Sequence, residues 1–312
     1  MSTAELHVVR AGALTTVQDL GRPGHAHLGV PRSGALDEPA HRLANRLVGN
    51  PESAAALETT MNGCALHAVG ETGAAFQAVV TGAPCAVTVD GRPAPWGVPF
   101  RLPAGAVLEA GPAEWGVRSY LAFSGGVDAA PVLGSRSTDL LSGLGPAPLR
   151  DGDRLRLGRR GERDRESAAG AVDAAPWAAP PSELLLPVVY GPRADWFTRE
   201  ALRTLVTGEY RVSSASNRIG LRLEGPVLER AYDGELPSEG IALGALQVPP
   251  EGRPVVFLAD HPVTGGYPVI GVAPRESLAA VAQAVPGTPV RFTPASGPQP
   301  TRSASSASSV SR

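Results

Sequence analysis

The chain has 312 residues, 43% of them hydrophobic and 19% charged, with a formal net charge of -2. That length allows two modest domains or one large one. The balance reads as globular, and it excludes an electrostatic drive toward nucleic acid or anionic membrane. All 28 basic residues are arginine. Without lysine there is no phosphate loop of the GxxxxGK[ST] kind, no Schiff-base amine, and no attachment point for biotin or lipoate. The two cysteines, Cys64 and Cys85, lie among small apolar residues and read as buried thiols of a reduced cytoplasm, although one disulfide between them stays open. The first residues, MSTAELHVV, lack the pattern of a signal peptide. No apolar run approaches the about 20 residues that span a bilayer.

Short strands dominate the predicted elements, as 37 glycines and 31 prolines lead one to expect. The first covers 5–9. A dense polar stretch from Thr15 to Gly63 follows, in which turns and polar groups outnumber periodic residues; it predicts a loop-built site. Within it Asp37 caps a helix, Pro39 suits its first turn, and Ala40, Leu43, Ala44, Leu47 and Val48 form its apolar stripe. Strands are then expected at 76–81 and 86–90, with Asp90-Gly91 as a hairpin turn, and at 107–110, 119–123 and 154–157. Residues 158–181 read as a linker. Beyond it come strands at 184–190, 255–259, 269–272 and 290–292, a helix over 194–207, and a helix over 275–284. The helix over 194–207 turns Trp196, Phe197, Ala201, Leu205 and Val206 inward, and the one over 275–284 turns in Leu278, Val281 and Ala282. The Ser-rich end, 295–312, reads as a disordered tail. Spacing of this kind indicates a mainly β chain, a barrel or sandwich with a few short helices, divided into lobes at 1–157 and 182–294.

Four polar constellations stand out. Gln18-Asp19 precede Gly21-Arg22, with Ser33-Gly34-Ala35 and Asp37 behind them. Ser124-Gly125-Gly126 is followed by Leu133-Gly134-Ser135-Arg136-Ser137-Thr138. Asn217-Arg218-Ile219-Gly220 opens a strand-like run. Gln247, Asp260 and Thr264-Gly265-Gly266-Tyr267 close the series. Each has a bland and a sharp reading. Asp260 is a turn carboxylate or a general acid/base. Gln18 and Asp19 are turn formers or an amide-carboxylate pair for a cyclic amide. Arg22, Arg218 and Arg222 are solvated arginines or clamps for carboxylate or phosphate. Asn217 holds a turn or contacts substrate. Gln247 is a paired polar group in a barrel wall or a ligand contact, and Tyr267 is half core with its hydroxyl facing a cleft. His25-Ala26-His27 lacks other ligands at metal spacing. Ser124-Gly125-Gly126 reads as a bulge or turn.

The segments VQDLGRPG, SGALDEPAHRLANRLVGN, LGSRST, SNRIGLRL and TGGYPVIG, in that order, resemble the carboxyltransferase subdomain family. It includes allophanate hydrolase subunit 2, KipA-like proteins and the C component of 5-oxoprolinase. The resemblance runs from about Gly12 to about Phe292. It departs at His261-Pro262-Val263, where the family has a glutamine and a threonine after the aspartate. It implies a two-lobed, cyclophilin-like β-barrel architecture. It implies a KipI-like partner and a LamB/YcsF-like partner, and ATP-driven opening of 5-oxoproline to glutamate in the assembled complex, with neither metal nor biotin on this chain. Carboxyl transfer from carboxybiotin to urea, or non-catalytic KipA-like regulation, is the alternative. Asp260, Gln18 and Asp19 would then be catalytic. Arg22, Ser33, Asn217, Arg218, Gln247, Thr264, Gly265, Gly266 and Tyr267 would bind substrate.

Overall fold

The computed structural model describes residues 4–158, 174–175, 182–232, 234 and 236–295. Most of the expected linker, and the tail beyond residue 295, lie outside the described residues. The strands of the first lobe are β1 (Glu5–Arg10), β2 (Thr15–Gln18), β3 (Ala56–Thr60), β4 (Cys64–Val69), β5 (Ala75–Gly82), β6 (Cys85–Val89), β7 (Arg92–Ala94), β8 (Phe100–Pro103), β9 (Val107–Ala113), β10 (Arg118–Phe123) and β11 (Arg154–Arg156). Those of the second are β12 (Leu184–Tyr190), β13 (Tyr210–Val212), β14 (Gly220–Glu224), β15 (Glu239–Gly240), β16 (Ala245–Gln247), β17 (Val255–Phe257), β18 (Thr264–Gly265), β19 (Val269–Val272) and β20 (Pro289–Pro294).

The first lobe packs two sheets, in the orders β11-β1-β4-β9-β6-β7 and β2-β3-β10-β5-β8. Their facing side chains, among them Leu6, Val8, Leu57, Leu66, Val80, Leu108, Leu121 and Phe123, make one core. Alternation puts Leu6 and Val8 inward on β1, where the burial is of period two. β10 has no exposed face, because α1 (Glu38–Leu47) covers its other side. Ala44, Leu47 and Val48 of that helical segment pack on Ala56, Val79, Tyr120 and Ala122. Asp37 caps the helix by accepting a hydrogen bond from the Ala40 N–H at 3.1 Å. The hairpin at Asp90-Gly91 has both residues at positive φ, 50° and 73°, and Val89 pairs with Arg92 across it. These are the features of a type I′ turn. Ala175, inside the expected linker, donates its N–H to Gly97 O at 2.6 Å, so this residue docks on the first lobe.

The second lobe is a closed seven-stranded barrel, β12-β19-β16-β17-β14-β13-β20, with β12 and β20 paired in parallel. Closure of the barrel is thus found in the second lobe, while the first is a sandwich. Leu186, Leu223, Leu246, Val256, Ile270 and Phe292 fill the barrel. The helix expected over 194–207 is interrupted. A single 3-10 turn at Ala194–Trp196 gives way to extended Phe197, and Thr198 then caps α2 (Arg199–Thr207) through the Ala201 N–H. The last helix likewise starts as a 3-10 turn before α3 (Leu278–Gln283). No helix of the described residues is long and apolar enough to cross a membrane.

Candidate functional site

Charged side chains of both lobes meet in the buried seam between them. Arg218, at the approach to β14, is 1% exposed, and Asp260, just past β17, is 0% exposed. The guanidinium grips Asp260 twice, from Nε to Oδ2 at 2.9 Å and from Nη2 to Oδ1 at 3.0 Å. It then crosses the seam: Nη1 pairs with Glu58 on β3, and Nη2 donates to Gly34 O at 2.7 Å. Asp260 also reaches across. Its Oδ2 accepts from the Leu140 N–H at 3.2 Å, and its Oδ1 lies 2.9 Å from the Ser33 hydroxyl, which also bonds Thr138 O. Glu58 accepts further hydrogen bonds from the Leu36 N–H and the Tyr120 hydroxyl, at 3.0 and 2.8 Å.

A second crossing runs through Gln283 of α3. Its Oε1 accepts from the Val117 and Arg118 N–H groups, both at 2.9 Å, and its Nε2 donates to Asp37 at 2.8 Å. Arg118 returns the contact by donating to Ala282 O. Burial works against the Arg218, Glu58, Arg118 and Asp37 charges. For Arg218, Glu58 and Asp260 outweigh it and hold the pKa above the ordinary value. Burial also opposes the Glu58 charge, but Arg218 and Arg118 prevail and keep its carboxyl below the usual range.

Two of the residues expected at a site from the sequence, Arg218 and Asp260, thus lie in this seam. The Arg218 guanidinium is engaged by protein oxygens of Asp260, Glu58 and Gly34. Asp260 faces Arg218, Ser33 and Leu140, and through them it ties the lobes together. The first motif is engaged by protein groups as well. Asp19 accepts from Ser135, Ser137 and the Arg136 N–H at 2.6 Å each, and from the Gly21 N–H at 2.8 Å. The VQDLGRPG and LGSRST segments thereby lock onto one another. Gln18 is fully buried and donates to Thr16 and Thr138 O, both at 3.0 Å. Arg22, 2% exposed, donates to Val132 O and Ser137 O. Ser33 is 1% exposed and holds φ at 50°, a left-handed conformation that its bonds to Asp260 and Thr138 sustain. Asn217 is exposed and forms a turn, accepting from the Ile219 and Gly220 N–H groups.

The remaining expected residues gather elsewhere, on the barrel face. Gln247 and Tyr267 line a groove of about 470 Å³ together with Arg222, Glu224 and Arg253. Gln247 donates to Tyr267 O at 3.2 Å, and the Tyr267 ring, 45% exposed, lies under Arg230 at 5.8 Å. Tyr267 is therefore a surface residue, not half core. Thr264 and Gly265 form β18 against β15, and Gly266 continues that turn. A side chain at Gly265 would meet the ends of the Ile241 and Gln247 side chains at 2.6 and 2.8 Å, so those two would have to shift to admit it. The sequence-derived residues thus divide among the seam (Ser33, Arg218, Asp260), the first lobe (Gln18, Asp19, Arg22), this groove (Gln247, Tyr267) and turns at Asn217 and 264–266.

The sequence reading missed a cleft of about 360 Å³ where the lobes part. Leu36, Leu243, Leu258 and Leu278 form its apolar floor, and Arg32, Glu38, Arg42 and Arg275 its charged rim. Glu38 holds Arg42 at 2.6 Å and Arg275 at 2.6 Å. Burial raises the cost of the Glu38 charge, but these hydrogen bonds outweigh it and lower its pKa. Glu58 and Arg118 were missed as well. The signal for them was a charge inside each of two otherwise apolar or hydroxyl-bearing strands, ALETT and RSYLAF. Nothing in local sequence marked Arg32 or Arg275.

The family model for the carboxyltransferase domain, subdomains A and B, matches residues 28–294. The chain belongs to this family. It is 39% identical over 290 residues to the C component of 5-oxoprolinase from Escherichia coli K12, covering 92% of this chain and 90% of that one. It is 34% identical over 316 residues to urea amidolyase of Lachancea kluyveri, covering 93% of this chain but 17% of that protein. The solved structure of TTHA0988 superposes with a TM-score of 0.81 at 38% identity, over 93% of this chain and 55% of that chain. Among the described residues of this carboxyltransferase-family chain, no three His, Cys, Asp or Glu side chains gather into a metal-binding group. Both cysteines are inert thiols of the core, pushed by burial to about 12 for Cys64 and about 11 for Cys85.

Two histidines give the seam a pH dependence. Burial holds His41 below the ordinary imidazole value, against its hydrogen bond to Gln18 O, and does the same to His261 against Pro262 O. Unfolding frees them to take protons near pH 6.5. The stability they contribute is full above about pH 6.5 and is lost as pH falls through their folded values. Denaturation midpoints should fall between about pH 7 and about pH 5, with a shallower slope in His41→Gln. A flat midpoint across that range would contradict the assignment.

Proposed function

We propose that this chain is a cytoplasmic subunit of an ATP-dependent 5-oxoprolinase. With a KipI-like and a LamB/YcsF-like subunit it opens the lactam of 5-oxoproline to L-glutamate. The observation that carries this reading is the near end-to-end match with the Escherichia coli 5-oxoprolinase component, which covers 92% of this chain and 90% of that protein. Ring opening adds water across the amide C–N bond, and ATP hydrolysis drives it. The starts of α1 and α2 do not fit a nucleotide phosphate. α1 and α2 spend N–H groups of their first turns on the Asp37 and Thr198 caps, Glu38 adds negative charge at the start of α1, and no lysine exists to pair with phosphate. No step through ATP is assigned to this chain. The inter-lobe cleft supports a substrate-handling role, since its apolar floor and polar rim suit a small, partly polar ligand.

A second reading has its own support in the urea amidolyase match: a carboxyltransferase component taking carboxybiotin from another chain. Co-expression with the candidate partners separates the two. We expect 5-oxoproline-dependent ADP release from the complete set and none from this chain alone. Activity of the isolated chain refutes the heteromeric reading. A silent complete set that instead carboxylates urea when given carboxybiotin establishes the second reading.

A further inference from the structure

The rim of the inter-lobe cleft carries more positive than negative charge. Arg32, Arg42 and Arg275 line it against Glu38 and Glu276. The arginines are unequally satisfied. Arg42 is spent on Glu38 and on Glu52, at 2.6 and 2.7 Å. Arg275 has one partner, Glu38, and its side chain is 63% exposed. Arg32 has less: Nη2 donates to Leu20 O at 3.3 Å and stands 3.9 Å from Glu38, and its buried Nε has no hydrogen-bond partner among the described residues. Burial and the facing charge of Arg275 lower the Arg32 pKa, and Glu38 does not restore it. The site therefore holds a cation short of both solvent and counter-charge, directly beside an apolar floor.

We infer that this cleft binds a small carboxylate whose uncharged ring or chain lies on Leu36, Leu258 and Leu278 while the carboxylate bridges Arg32 and Arg275. Arg32 supplies the unspent N–H groups, and a guanidinium fork matches a carboxylate better than any other rim group. Exposed Arg275 is free to turn from Glu38 to the ligand. The carboxylate class rests on the geometry of the cleft; 5-oxoproline as its member rests on the function proposed above. The arginine clamp expected at Arg22 or Arg218 is thus supplied by two residues on opposite lobes, so that a bound ligand joins the lobes at their open edge.

Calorimetric titration of the full chain tests this with three probes: 5-oxoproline, cyclopentanecarboxylate, which keeps the ring and the carboxylate, and 2-pyrrolidone, which keeps the lactam alone. We expect both carboxylates to bind and 2-pyrrolidone to bind at least about tenfold more weakly. Arg32→Gln and Arg275→Gln should each weaken 5-oxoproline by at least about tenfold. Arg275 is a surface residue, so its variant tests the idea even if Arg32→Gln fails to fold. Equal binding of 2-pyrrolidone, unchanged affinity in Arg275→Gln, or no binding of either carboxylate at millimolar concentration overturns the inference. Binding of cyclopentanecarboxylate without 5-oxoproline leaves the carboxylate site standing and removes the 5-oxoprolinase reading. Turnover in the assembled complex with KM unchanged by Arg275→Gln removes the site and leaves that reading.

Discussion

Arg218→Ala should destabilise the chain by about 3–5 kcal/mol, the cost of leaving buried charge without its partner. The substitution strips Glu58 and Asp260 of their shared cation at positions 1% and 0% exposed. It also removes the donor to Gly34 O, so a buried carbonyl loses its partner. Arg118 stays 3.7 Å from Glu58 as a remaining partner, so Asp260 bears most of the loss. At about 2–4 °C per kcal/mol for a domain of this scale, the melting temperature should drop by about 10 °C. Arg222→Ala, four residues along on the exposed barrel face, should change stability by less than about 0.5 kcal/mol. Urea denaturation of the pair measures both. A loss below about 1 kcal/mol for Arg218→Ala would show that the seam does not depend on this cation. Replacing Arg218, Glu58 and Asp260 together by neutral residues should recover part of the loss, because a buried ion cluster costs most when only one member is removed.

The mainly β character, the Asp90-Gly91 hairpin, the α1 cap and the strands at 184–190 and 269–272 were legible because each rests on local physics: turn conformation, capping, or a continuous apolar run. Strands such as β2 and β16 were not. Thr15–Gln18 reads TTVQ, and all four residues are buried. Threonine and glutamine there satisfy their polar groups across the sheet, through bonds such as Thr15 to Thr59 at 2.8 Å, and sequence carries no sign of a partner 44 positions away. Apart from its expected helix, the stretch from Thr15 to Gly63 therefore reads as loops in sequence, whereas it also holds two strands. The polar motifs stand out for a sound reason, their excess over core-building need. Their role is hidden because the same residue types serve to catalyse and to fasten. Asp19 with Ser135 and Ser137, and Arg218 with Asp260 and Glu58, show that the excess is spent in tying distant segments together. The cleft was illegible because Arg32, Glu38, Leu258 and Arg275 come from both lobes, and no local pattern assembles them.

Asp260→Asn separates fastening from catalysis. The substitution keeps shape but replaces one acceptor oxygen by an N–H donor. Oδ2 faces the donors Arg218 Nε and Leu140 N–H, while Oδ1 faces Arg218 Nη2 and the Ser33 hydroxyl. Either orientation of the amide therefore points N–H at N–H on one side, in a place with 0% exposure. The loss of the charge also leaves Arg218 with Glu58 as its one carboxylate. We expect a destabilisation of about 3 kcal/mol, and an assembled complex that still turns over near the wild-type rate at temperatures where it stays folded, because both carboxylate oxygens are taken up by Arg218, Leu140 and Ser33. The comparison needs turnover per folded complex, measured beside a melting curve of the same preparation. Intact stability with abolished turnover would reverse the assignment and make Asp260 the acid or base that the sequence alone suggested. Lowered stability with preserved turnover places the chemistry outside the seam, and the inter-lobe cleft beside Arg32 is then the place to look for it.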